Sequence, residues 1–120
     1  GVEVAGIAYD RANAMSSAQK WERAGYETVV VRQHSDTLHP ATKLLKELIL
    51  ERRFQYVDNL LLEINFQNAR CTEDTNRNLY VNKKKSRGKV DMVVALINAV
   101  YLLQQDVLLG EEENWGAQEL

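Results

Sequence analysis

Two rhythms of apolar and polar residues alternate along this chain. Residues 4–9 form a short apolar run closed by Asp10, which predicts a buried strand with an acid at its C-terminal end. Residues 13–24 predict a helix, and Gly25 follows where a helix stop is best served by glycine. Residues 27–32 hold Thr28, Val29, Val30 and Val31, a second buried strand. Strand, helix and strand within about thirty residues is the spacing of a right-handed crossover between parallel strands. A polar loop is expected over residues 33–39, with Pro40 opening a helix whose apolar face carries Leu44, Leu45, Leu48 and Ile49. Residues 56–66 are apolar but less periodic, and predict a short helix. Residues 68–74 and 79–83 flank Thr75, Asn76, Arg77 and Asn78, turn-forming residues that predict an exposed hairpin. Residues 88–106 predict a long helix. It is apolar almost without break from Val90 to Leu103 and is expected to be buried against a sheet.

The 120 residues fit one domain, read as residues 1–109 plus an acidic tail at 110–120 containing Trp115. Because the first residues already read as a strand, the chain is expected to be a fragment of a larger fold. One cysteine, Cys71, excludes an internal disulfide framework and lacks the Cys/His spacing of a zinc site. No uninterrupted apolar run reaches the roughly 20 residues of a membrane span, and no membrane partner is expected. A net charge of −2 does not mark a nucleic-acid binder, but its distribution changes the picture. Arg70, Arg77, Lys83, Lys84, Lys85, Arg87 and Lys89 fall within one segment, opposed there by Glu73 and Asp74. Such a patch can hold a phosphate backbone without reading sequence, although a charged hairpin is also the ordinary solvated face of a protein.

Two acids sit against apolar segments, Asp10 at the end of the first strand and Asp91 between Val90 and Met92. If the long helix crosses the sheet, the two meet at its carboxyl end, where α/β folds bind ligands. Converging carboxylates suit Mg²⁺ or Mn²⁺, and such ions catalyse phosphodiester hydrolysis. A plainer reading stands beside this one. Asp10 caps the turn that follows it, and Asp91 gains from the helix dipole with no ligand at all. Glu63 is either a helper acid or a surface residue. His34 and His39 match no strong metal spacing, Ser16, Ser17 and Ser86 lack a nucleophile motif, and no phosphate-binding loop of an ATPase is present.

In order along the chain, these segments resemble the nuclease domain of phage and prophage large terminase subunits. Ile7-Ala8-Tyr9-Asp10-Arg11 is similar to the family's second acidic strand. Gly25-Tyr26 and Val29-Val30-Val31-Arg32-Gln33 resemble the next strand and its glutamine. Leu38, Pro40, Lys43 and Glu47 fall at the loop and helix, and Asn68, Asp74, Asn78 and the lysines at 83–85 fall at the hairpin. Lys89-Val90-Asp91 with Val94-Ala95-Leu96 resembles the final helix.

The resemblance implies an incomplete ribonuclease-H-like α/β fold: a parallel strand pair from a βαβ unit, packed helices and a basic hairpin. It also implies two Mg²⁺ or Mn²⁺ ions in the complete site. Asp10 matches the family's second metal-binding acid and Asp91 its third, while the first has no counterpart in this sequence. The implied activity is cutting of concatemeric double-stranded DNA in the bacterial host cytoplasm, in a protein that also carries an ATPase and meets a portal and a small terminase subunit. The chain alone is then expected to be inactive, and its first strand to expose an edge suited to self-association. Two rivals remain on sequence: another ribonuclease-H-like enzyme of resolvase or integrase type, and a non-enzymatic assembly module using the acidic tail.

Overall fold

The computed structural model describes residues 3–119, with side chains other than those of Asn13 and residues 109–119. Strand β1 (Ile7–Tyr9) leads through helix α1 (Arg11–Arg23) into strand β2 (Thr28–Val30). The two strands pair in parallel, Ile7 opposite Thr28 and Tyr9 opposite Val30, as the crossover spacing predicts. The turn out of α1 is specified locally. Gly25 adopts a φ of 93°, its N–H donates to the Glu22 carbonyl, and the Tyr26 N–H donates to the Trp21 carbonyl. This pair of bonds satisfies the helix's last carbonyls and needs a residue at ease with positive φ.

Helix α2 spans Ser35–Leu50, beginning five residues before Pro40 and not at it. The polar segment read as a loop supplies the start. His34 is the N-cap, its ring accepting the Asp36 N–H, and Asp36 places a carboxylate in the first turn, where the helix dipole favours it. Pro40 therefore lies inside the helix and removes one backbone donor, a cost that the burial of the neighbouring Ala41, Thr42 and Leu45 offsets. Helix α3 spans Leu60–Asn68, starting later than the apolar run at 56 because Asn59 caps it by accepting the Leu62 N–H.

Strands β3 (Cys71–Glu73) and β4 (Leu79–Val81) form the predicted antiparallel hairpin, with Glu73 opposite Leu79. Helix α4 runs Asp91–Glu119, past the expected end at 106 and across the boundary placed at 110. Its packing also differs from the sequence reading. It lies on α2 more than on a sheet, with α3 and the short β1 as further neighbours, because among the described residues each sheet has two short strands. Ala41 and Leu45 of α2 meet Val93 and Ile97 of α4 at the centre of the core, flanked by Phe54, Phe66 and Val81. A fully buried Val, Leu or Ile side chain contributes about 1.5–3 kcal/mol, and Leu45, Val93 and Ile97 are each buried here. By length and composition Asp91–Leu108 would also suffice to cross a membrane, but its first turns bury Val93 and Ile97 against α2 as a core helix does.

Candidate functional site

Four chain segments meet at a cleft of about 370 Å³, one of them the stretch from Gln33 to Thr42. Asp10 enters from the end of β1, Asp91 from the first turn of α4 and Lys83 from the chain just beyond β4. The floor carries Gln33 and Asn98, whose amides are joined: Gln33 Nε2 donates to Asn98 Oδ1 and to the Val31 carbonyl, both at 3.0 Å. Asn98 is buried, and this bond crosses from the end of β2 to α4, fixing the two walls against each other.

Each acid also has a structural task. Asp10 is the N-cap of α1, its Oδ1 accepting the Ala12 N–H at 3.1 Å. Asp91 is exposed, so its charge carries little of the desolvation cost that the surrounding apolar sequence suggested. The N-terminus of α4 is held instead by Asn65, which is buried, accepts the Met92 N–H at 3.2 Å and donates to the Leu61 carbonyl. Two carboxylates and a floor of amide oxygens are hard oxygen donors. In chemistry such donors suit Mg²⁺ or Mn²⁺, which commonly takes one or two carboxylates and completes its shell with water or substrate phosphate. Among the described residues no three His, Cys, Asp or Glu side chains gather, so a complete two-ion set is not present in them.

The hairpin beside the cleft is tied to α2 by Asp74. One carboxylate oxygen accepts the Asn76 and Asn78 N–H groups at 2.8 and 2.9 Å, and the other accepts the Ser35 hydroxyl at 2.6 Å. The Ser35 hydroxyl bond, followed by the Asn78 N–H, pulls the Asp74 pKa down from 3.8 to about 2. A second tie is His39, whose Nδ1 accepts the Leu79 N–H at 2.8 Å, which puts the ring proton of the neutral form on Nε2. Both histidines thus have structural roles in α2, His34 as a cap and His39 as a strap.

The basic residues differ in their surroundings. Lys83 lines the cleft, while Lys84, Lys85, Arg87 and Lys89 are exposed beyond it and Arg77 occupies the hairpin turn at a φ of 62°. Arg70 is partly withdrawn, its guanidinium donating to the Gln67 and Ala69 carbonyls at 2.7 and 2.8 Å. Glu63 is exposed in the first turn of α3 and is not among the cleft residues. Cys71 is exposed at the edge of the hairpin, and partial desolvation of its thiol outweighs the opposite pull of Lys46 and raises its pKa. Sequence reasoning missed Asn98, Ser35, Thr42 and Tyr80 as cleft residues. For Asn98 a signal existed, since it is the only polar side chain in residues 92–100.

The chain has a mixed α/β fold, a parallel strand pair with packed helices, of ribonuclease-H-like form. The crystal structure of the bacteriophage HK97 large terminase matches it with a TM-score of 0.73 and 24% identity, covering 83% of this chain and 21% of that one. The chain thus spans about a fifth of that terminase's length. No curated protein matches the chain. The chain belongs to the terminase large subunit endonuclease domain family, whose model matches residues 1–106.

Proposed function

We propose that this chain supplies catalytic surface to a metal-dependent endonuclease that cuts concatemeric viral DNA during packaging. The observation that carries the reading is the shared cleft: Asp10, from the end of β1, and Asp91, from the start of α4, line one cavity together with Lys83. Asp10 and Asp91 hold a Mg²⁺ or Mn²⁺ ion, and a second ion of the complete site is held with a further acid outside this chain. When bound, such an ion supplies Lewis-acid stabilisation of the phosphodiester's developing charge. The chain's own residues do the rest. Gln33 and Asn98 keep the cleft walls in register, and the strap from Asp74 and His39 holds the hairpin beside the cleft. Lys84, Lys85, Arg87, Lys89 and Arg77 draw the DNA backbone in through non-specific phosphate contact.

Family membership favours this reading over a resolvase or integrase. The same membership supports, as proposals, contact with a portal and a small terminase subunit and a place in the host cytoplasm. In an intact large subunit, Asp10→Asn and Asp91→Asn are each expected to abolish Mn²⁺-dependent nicking of supercoiled plasmid. Undiminished nicking by either variant contradicts its role.

A further inference from the structure

The sequence makes the segment from Arg70 to Lys89 a basic stretch, and in the structure one member of it lines the cleft described above. Of the seven cations there, Lys83 lines the cleft that holds Asp10 and Asp91. Its placement is built into the turn. Tyr80 and Val81 at the end of β4 themselves line the cleft, so the chain arrives at 83 along the cleft wall. Asn82 then fixes the turn: its Oδ1 accepts the Lys84 and Lys85 N–H groups at 3.1 and 3.2 Å, and its Nδ2 donates to Thr72 Oγ1 at 3.3 Å. The Ser86 hydroxyl closes the other side by donating to the Asn82 carbonyl at 2.7 Å. Among the described residues Lys83 makes no ion pair.

We propose that Lys83 is a catalytic residue whose ammonium engages a non-bridging oxygen of the phosphodiester being cut, while its neighbours hold phosphates on either side. This assignment rests on the endonuclease reading above. Two carboxylates facing a phosphodiester repel it, and a cation inside the same cleft offsets that repulsion at the reacting group itself. In the hydrolysis the water oxygen bonds to phosphorus and the ester P–O bond breaks. One water proton ends on the leaving oxygen and the other on the new terminal phosphate. Negative charge builds on the non-bridging oxygens as the water adds, so a fixed ammonium there stabilises the transition state more than the bound substrate. Its removal therefore appears mainly in kcat. Removal of a backbone-tracking lysine weakens DNA binding in ground and transition states alike and appears mainly in KM.

The test is steady-state nicking of plasmid by an intact large subunit with Mn²⁺, comparing Lys83→Ala, Lys83→Arg, the pair Lys84→Ala/Lys85→Ala, and Asp10→Asn. Lys83→Ala is expected to lower kcat roughly a hundredfold with a much smaller change in KM. Lys83→Arg is expected to recover part of the loss, and the Lys84/Lys85 pair to raise KM more than it lowers kcat. Because Lys83 is exposed, an unchanged melting temperature separates lost chemistry from lost folding. If Asp10→Asn is inactive while Lys83→Ala shows only the KM effect of its neighbours, the Lys83 assignment falls and the nuclease reading stands. If Asp10→Asn cuts as well as the unmodified protein, the nuclease reading fails and takes this assignment with it.

Discussion

Asp74 shows how a single side chain can organise the approach to a site without entering it. Its carboxylate gathers the hairpin turn and the start of α2 through four hydrogen bonds, and those bonds require the ionised form for full strength. The folded-state pKa is depressed, to about 2 from 3.8. The stabilisation is therefore complete above the higher value and is lost as pH falls towards the lower one. Urea unfolding of the chain and of Asp74→Asn is expected to show a gap in midpoint that is constant at higher pH and closes between about pH 4 and 2. A gap of the same size throughout that window would show that Asp74's charge does not fasten the hairpin. Little of this was legible in sequence. Asp74 read as one of two acids diluting a basic patch, because its partner Ser35 lies 39 positions away. The same distance problem hid the His39 strap and the Gln33–Asn98 bridge, which leave no local periodicity.

Elements were legible where the signal is local. The β-branched run around Val29 and the glycine at 25 gave β2 and the end of α1. The Thr75–Asn78 cluster gave the hairpin, with β3 and β4 inside the expected spans. Pro40 misled, because proline favours a helix's first turn while the capping signal lay upstream in His34 and Asp36. The length of α4 was also underestimated, since an acidic stretch after 110 looked like a departure from the helix. Strand β1 carries its own prediction. Ile7 and Tyr9 bond towards β2, so by the two-residue repeat the Ala8 N–H and C=O face the other edge, where no strand lies among the described residues. Such an edge is a template for pairing, and a second copy of the chain or a neighbouring segment is expected to cover it. Light scattering should then give a mass above the monomer's for the isolated chain, with slow hydrogen exchange at the Ala8 amide. A monomer with a fast-exchanging Ala8 amide sinks this expectation.

At the scale of the whole molecule, the fold brings two acids 81 positions apart in sequence to one cleft. The βαβ unit delivers Asp10, and the α2–α4 core contact sets the angle at which α4 delivers Asp91. The comparisons carry the family and the fold, while the proposed metal role of the two acids rests on their shared cleft alone. Each acid also has a local explanation, Asp10 as a cap and Asp91 as a first-turn acid, so the decisive question is whether they act together. Calorimetric titration of Mn²⁺ into the chain answers it, with Asp10→Asn, Asp91→Asn and the double variant alongside. If the acids share an ion, each single substitution weakens binding by about tenfold or more, and the double variant shows no binding at this site. Affinity unchanged in either single variant would mean that the cleft brings the two carboxylates together without making them one metal site.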